Sequence, residues 1–341
     1  RKLVAGIRAR MKEAGVEVIT GEAAFDRSQT GDVLQIACNE QLYEALNVIL
    51  CTGSEAVVPP IPGLAGSTFW TSREALENKE VPESLVIIGG GVIGIEFASF
   101  FSALGTKVYV VEMLEEILPG FDKELAAMLR EELSKKGIEF HIGTKVTAVN
   151  NGVTSIEKDG TASMLDASVV LVAVGRRAVG RTEVNEYMQT ANPHIYACGD
   201  VTGYSMLAHT AVREAEVAVE NILGKPTKMS YKAVPGVVYS SPEFAGVGKT
   251  EDQLQADGTP YIAKKLPMAY SGRFVAENEQ GTGICKILIG EDEAILGVHI
   301  LGTPASELIV IAGVAIEQGM TAEELRSIIF PHPTVGEIIK E

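Results

Sequence analysis

The sequence predicts an α/β protein followed by a separate α+β domain. Three observations carry this. Apolar runs of strand length alternate with helical stretches through most of the first two-thirds, the pattern of parallel α/β layers. One of those runs ends in a glycine-rich turn that opens directly into a helical stretch. From Val234 the pattern changes to strand-like pieces separated by Gly and Pro, with two helices near the end.

In chain order, residues 1–15 read as a helix ending at Gly15, and Val16-Glu17-Val18-Ile19 as a short strand. Asn47-Val48-Ile49-Leu50-Cys51 is an apolar run ending in Thr52-Gly53-Ser54, and the Pro-rich residues 57–63 read as a linker. A second unit starts with the buried strand Ser84-Leu85-Val86-Ile87-Ile88, a helix over about 92–104 and a strand over 107–111. Asp122 caps a helix carrying Leu125, Leu129 and Leu133 on one face, and Gly137 stands at its left-handed end. Strands are predicted at 138–142 and 168–174, with a short antiparallel meander over 147–166. A further strand ends at Gly199-Asp200, and a helix covers 208–223. The run 308–316 reads as a buried helix, and Thr321-Ala322-Glu323-Glu324 as a capping box for a last long helix.

The 341 residues suit two or three domains, and 46% hydrophobic content is enough for sizeable cores. The formal charge of −16, without any Lys/Arg-rich run, argues against nucleic-acid and anionic-membrane partners. No apolar stretch reaches the ~20 residues needed to span a bilayer. The charged opening residues do not read as a signal peptide. Cys38, Cys51, Cys198 and Cys285 are far apart and form no CxxC or CxxxxC, so they read as reduced thiols in a cytoplasmic protein. No metal site is predicted.

The strongest motif is Gly89-Gly90-Gly91-Val92-Ile93-Gly94, a GxGxxG between strand and helix. One glycine makes the tight turn, one lets the backbone approach a pyrophosphate, and one lets helix and strand pack. The pyrophosphate would rest on the positive helix end, and Ala98 keeps the helix close to the sheet. Glu112 ends the next strand. A carboxylate there accepts hydrogen bonds from ribose hydroxyls and repels a 2′-phosphate, so NAD is expected over NADP.

With these segments the chain resembles the pyridine nucleotide-disulfide oxidoreductases, and within them most closely the dihydrolipoamide dehydrogenase branch. The resemblance also runs through Ala173-Val174-Gly175-Arg176-Arg177, Ile195-Tyr196-Ala197-Cys198-Gly199-Asp200 and Leu207-Ala208-His209. It continues through Leu296-Gly297-Val298-His299 and Pro331-His332-Pro333-Thr334. It implies Rossmann-like FAD and NAD domains, one inserted in the other, and a C-terminal interface domain. Residues 1–67 and 179–229 would be the FAD part, 68–178 the NAD domain and 230–341 the interface domain. Thr52, Gly53, Ser54, Asp200, Met206, Leu207, Ala208 and His209 would line the FAD site, with a helix end offsetting charge on the reduced flavin. Glu96, Val146 and Gly175 would join Gly89, Gly90, Gly91, Val92, Ile93, Gly94 and Glu112 around NAD.

The same resemblance makes His332 and Glu337 an acid–base pair. His332 stands between two prolines in a rigid, non-helical stretch. Glu337 can reach back to it if a helix starts between them. A carboxylate on one ring nitrogen fixes the tautomer and leaves the other as a base for a dithiol. In this family the base acts across a homodimer interface, to which helix 308–316 is a candidate contributor. The implied partner is a lipoyl domain of a 2-oxoacid dehydrogenase or glycine-cleavage complex. The rivals are a glutathione or mercuric reductase and a non-catalytic, NAD-binding dimeric fragment.

The pattern also departs from the family. The residues from Arg1 onward contain neither its first GxGxxG unit nor its CxxxxC disulfide helix, and residues 177–182 join more abruptly than in relatives. The expectation is a longer protein of which these residues are the ordered part. Cys51 and Cys198, each ending a predicted strand, are expected to be packing residues.

Overall fold

The computed structural model describes residues 2–279 and 281–341; of the opening helix, the prediction for Arg1 lies outside them. The chain divides into two compact units, Arg1–Ser54 with Ala178–Met229, and Glu55–Arg177 with Ser230–Glu341.

The larger unit holds the GxGxxG segment. Its parallel sheet has the order Val169–Val172, Ser84–Ile88, Lys107–Val111, Glu139–His141. Chain order therefore reverses beside Ser84–Ile88, and ligands of such sheets bind in the crevice at that switch point. Leu85, Val86 and Ile87 are wholly buried, as a strand covered on both faces requires. The helix Val92–Ala103 follows and presses Ile95 and Ala98 into the core. The helix Lys123–Lys135 buries Leu125, Leu129 and Leu133, and the Asp122 carboxylate accepts the Leu125 N–H at 3.1 Å. The expected meander is present as Lys145–Asn150, Val153–Lys158 and Thr161–Asp166.

The C-terminal part of this unit is a five-stranded antiparallel sheet, in the order Gly236–Val238, Phe244–Gly248, Ile295–Leu301, Ile284–Gly290, Tyr261–Pro267. The helix Ala305–Gln318 packs on it through Leu308, Ile309, Ala312, Ala315 and Ile316, while Val310 and Val314 face outward. So the run read as a buried helix is buried on one side only. Lys286, fully buried on the sheet, ties it to the parallel-sheet layer. Its ammonium lies 2.8 Å from Asp122, 2.6 Å from Glu124 and 2.6 Å from Glu251. Burial opposes the charge, but the hydrogen bonds that the ammonium donates to the three carboxylates win and hold Lys286 above the ordinary lysine range.

The smaller unit contains the parallel strands Val48–Leu50 and Ile195–Ala197 and the helix Ala208–Ile222. It also contains an antiparallel sheet of Ala23–Phe25, Leu34–Cys38 and Gln41–Ala45. Leu34, Leu50, Ile195, Ala197 and Val201 form one core, and Met188, Tyr196, Val217 and Ala218 another. The opening helix Lys2–Glu13 buries none of its residues. At the abrupt join, the chain turns at Gly180 and Thr182 donates its N–H to the Val201 carbonyl at 2.9 Å.

Several sequence expectations need correction. Residues 16–19 are not a strand: Val16, Val18 and Ile19 are exposed, and no described strand lies alongside to complete a hydrogen-bond ladder. The capping box at Thr321 is real, but its helix, Ala322–Ser327, has only 6 residues. Another capping box, Thr250 with Gln253, starts the helix Glu251–Asp257, which periodicity did not suggest. No helix among the described residues is long and apolar enough to cross a membrane.

Candidate active site: a nucleotide cradle and an acid–base pair

The three motif glycines have distinct physical roles. Gly89 has φ +111°, and a Cβ there would fall 2.5 Å from the Ala173 carbonyl oxygen. A Cβ on Gly94 would fall 2.1 Å from the Gly89 carbonyl oxygen. Both positions are closed by packing. Around Gly91, by contrast, a Cβ would meet nothing within 4 Å. Gly91 is the N-cap of the helix Val92–Ala103 and no side chain caps that end. The turn thus presents open backbone and uncapped N–H groups, beginning at Val92 and Ile93, as a pyrophosphate requires.

Glu112 is buried, and both its oxygens are already engaged. Oε2 accepts the Gly90 N–H at 2.7 Å and Oε1 accepts the Leu114 N–H at 2.8 Å. Each oxygen keeps a second lone pair for a ribose hydroxyl, so the carboxylate both braces the glycine turn and addresses the nucleotide. Glu96 is half-buried and accepts the Tyr239 N–H at 2.9 Å. Burial pushes its carboxyl up, and the Tyr239 bond only partly offsets this. It borders a cavity of about 470 Å³ lined also by Leu76, Phe97, Phe100 and Tyr239. Val146 points its side chain into the meander core, leaving only its backbone for a ligand. Gly175 is exposed, with φ +115° and open space at its Cβ position.

In the smaller unit the residues suggested for FAD gather at the ends of the two parallel strands. The Ser54 hydroxyl donates to the Asp200 carboxylate. Thr52 Oγ1 donates to the Val179 carbonyl at 2.7 Å, and Gly53 adopts φ +70° with open space around it. Leu207 is the N-cap of the helix Ala208–Ile222, without a side-chain cap bond, and Met206, Ala208 and His209 are exposed beside it. An open glycine, a carboxylate for hydroxyls and an uncapped helix start fit a dinucleotide-type cofactor. Glu214 was not singled out by sequence. It is fully buried on that helix and accepts the Gly199 N–H at 2.6 Å, fixing the turn that carries Asp200. A carboxylate buried in mid-helix carries no local signature, so only the fold reveals it.

His332 and Glu337 meet as their spacing suggested. The short 3₁₀ helix Val335–Ile339 starts between them. His332 Nδ1 lies 3.1 and 3.2 Å from the two Glu337 oxygens. Glu337 Oε2 also accepts the Thr334 N–H at 2.9 Å. The Thr334 N–H first, and His332 second, hold the Glu337 carboxyl below the usual carboxylate range. An ionised carboxylate only accepts, so Nδ1 carries the proton and Nε2 is left as the free, basic nitrogen. The His332 side chain is 82% exposed, and Nε2 is open to a substrate.

Cys51 and Cys198, read from sequence as separate packing residues, lie with their sulfurs 3.3 Å apart, although 147 positions separate them.

Residues 1–215 match the family described as pyridine nucleotide-disulphide oxidoreductase, and residues 234–341 match its dimerisation domain. The chain belongs to this family of disulfide oxidoreductases. It is 38% identical to a dihydrolipoyl dehydrogenase of Geobacillus stearothermophilus, over 100% of this chain and 76% of that protein. It is 36% identical to a dihydrolipoyl dehydrogenase of Bacillus subtilis, again over 100% and 76%. Among solved structures it resembles LpdA of Mycobacterium tuberculosis, with TM-score 0.89 at 24% identity over 98% of this chain and 78% of that one, a likeness of fold. It also resembles the HOCl-induced flavoprotein disulfide reductase RclA of Escherichia coli, with TM-score 0.85 at 26% identity over 99% and 82%. The fold is that of the flavoprotein disulfide reductases, with FAD- and NAD-type domains and a dimerisation domain.

Proposed function

We propose that the protein is an FAD-containing, NAD-dependent dihydrolipoyl dehydrogenase that oxidises a protein-bound dithiol. The observation that carries this is the exposed His332 imidazole, oriented by Glu337 at 3.1 Å, in a chain of this family. A dithiol is a poor nucleophile until one sulfur is a thiolate. His332 Nε2 takes the thiol proton, and Glu337 stabilises the imidazolium that results. Gly91, Val92 and Ile93 hold the NAD pyrophosphate at the helix start. Glu112 holds the ribose and excludes a 2′-phosphate, and Glu96, Val146 and Gly175 border the nucleotide. Thr52, Gly53, Ser54, Asp200 and residues 206–209 hold FAD, which when bound carries the electron pair between dithiol and NAD. No two of the four cysteines stand at CxxxxC spacing, so none of these residues is assigned to the family's redox disulfide.

On this reading residues 68–178 are the NAD domain, 1–67 with 179–229 belong to the FAD domain, and 230–341 form the dimer interface. The outward Val310 and Val314 give the helix Ala305–Gln318 an apolar stripe for that interface. The enzyme works as a cytoplasmic homodimer and takes the lipoyl domain of a 2-oxoacid dehydrogenase or glycine-cleavage complex as partner. The test is oxidation of dihydrolipoamide by the flavin-loaded protein with NAD or NADP as acceptor. NADH formation, with little turnover of NADP, supports the assignment. A preference for NADP would move the protein to the NADPH-linked reductases. Flavin and NAD binding without dithiol oxidation would leave a non-catalytic binding module.

A further inference from the structure

We infer that Cys51 and Cys198 form a dithiol/disulfide couple, a modification site that small-molecule disulfides oxidise to a cross-strand disulfide. The inference rests on strand register and not on the proposed activity. Strands Val48–Leu50 and Ile195–Ala197 run parallel, with Leu50 opposite Ala197. One step further along both strands places Cys51 opposite Cys198, and the Cys198 N–H donates to the Leu50 carbonyl at 3.1 Å, which holds the register there. Register partners on neighbouring strands are about 4.8 Å apart. A disulfide requires Cα atoms roughly 4.4–6.8 Å apart. The two side chains project to the same side, and their sulfurs are in contact at 3.3 Å. Closing the bond needs only small side-chain rotations.

The two thiols are unequal in a way that assigns roles. Cys51 is exposed, whereas Cys198 is buried. Either sulfur can donate in this contact, and with the exposed Cys51 as thiolate and Cys198 as donor the hydrogen bond lowers the Cys51 pKa to about 7, with burial opposing it. Cys198 is pushed up by the same contact and by burial. Cys51 is therefore the attacking sulfur and Cys198 the resolving one. The other two cysteines lack these features: Cys38 is buried, and burial pushes buried Cys285 up to about 12. A metal is a poorer occupant, because no group of three or more His, Cys, Asp or Glu among the described residues could hold one.

The step balances as thiol–disulfide exchange. The Cys51 thiolate attacks one sulfur of oxidised glutathione, forming a mixed disulfide and releasing one glutathione thiolate. Cys198 gives its proton to water and attacks Cys51 Sγ, and the second glutathione thiolate leaves. Two protein thiols are oxidised, and one small disulfide is reduced to two thiols. The new bond ties together the two strand ends that carry Thr52-Gly53-Ser54 and Asp200, so it locks the segment suggested to hold FAD.

The experiment treats the whole purified protein with excess oxidised glutathione, alkylates it in denaturant and maps unreduced peptides by mass spectrometry. The expected result is that Cys51 and Cys198 escape alkylation together in one linked peptide that dithiothreitol separates, while Cys38 and Cys285 are alkylated. Cys198→Ser should trap the glutathione adduct on Cys51. In the reduced protein, iodoacetamide labelling of Cys51 should be half-maximal near the pKa of about 7, with the midpoint moved to higher pH in Cys198→Ala, which removes the donor. If either variant does not fold, the wild-type peptide map alone decides. Full alkylation of all four cysteines, or a glutathione adduct on Cys51 with Cys198 still alkylated, would overturn the inference.

Discussion

The nucleotide cradle and the acid–base pair lie in the same unit but are held by opposite means. Apart from Gly91, which faces open space, the cradle is built from contacts that leave no room for change. Gly89 and Gly94 are closed by backbone oxygens at 2.5 and 2.1 Å, and Glu112 is buried with both oxygens bonded. The pair is local and open: within six consecutive residues a 3₁₀ helix brings Glu337 back to an imidazole that is 82% exposed. The contrast teaches that the cradle's geometry cannot be altered without altering the core, whereas the pair's chemistry can be removed while the fold stays intact.

The largest expected loss of stability comes from the buried ionic cluster that ties the antiparallel sheet to the parallel-sheet layer. Lys286→Met leaves buried Asp122 without its partner. Removing one member of a buried ionic cluster costs about 3–5 kcal/mol, and urea denaturation should show it as a fall in midpoint. An unchanged midpoint would mean that this cluster does not hold the two layers together. Next is Gly94→Ala, where a Cβ would meet the Gly89 oxygen at 2.1 Å. Overpacking of this kind costs about 1–3 kcal/mol, read as a lower Tm together with weaker NAD binding.

Gly91→Ala sharpens the comparison, because the same chemical change enters open space. Stability should move by no more than about 0.5 kcal/mol, while the NAD Kd rises because the methyl group occupies the approach to the helix end. If Gly91→Ala instead destabilised the protein as much as Gly94→Ala, the separate roles given to these glycines would be wrong. The smallest effect concerns protons. Glu337 has a depressed folded-state pKa, so its favourable contribution is complete above the ordinary carboxylate value of about 4.3. That contribution is lost as pH falls through the lower folded value. Removing the imidazole in His332→Ala should raise the Glu337 pKa in an NMR titration. It should stay below the ordinary value because the Thr334 N–H bond is the larger cause.

What was legible in the sequence follows the same division between local and distant causes. The parallel strands, the GxGxxG turn and the His332–Glu337 contact were readable because each is written in consecutive residues. The α/β architecture followed from those pieces in order. Val16–Ile19 misled because an apolar alternation specifies a strand only if a neighbour supplies hydrogen bonds. Thr250-Glu251-Asp252-Gln253 held a capping signal that the search for hydrophobic period passed over. Lys286, Glu214 and the Cys51–Cys198 contact were invisible for a common reason. Their partners lie 164, 15 and 147 positions away, with no motif to mark them.

The most direct test of the central claim is kcat for dihydrolipoamide oxidation by His332→Gln, measured beside its Tm. Loss of a general base costs about 10²–10⁴-fold in rate. The account predicts a fall of that order with Tm unchanged, since the side chain is exposed. Turnover near that of the unsubstituted protein would contradict the assignment of His332 as the base.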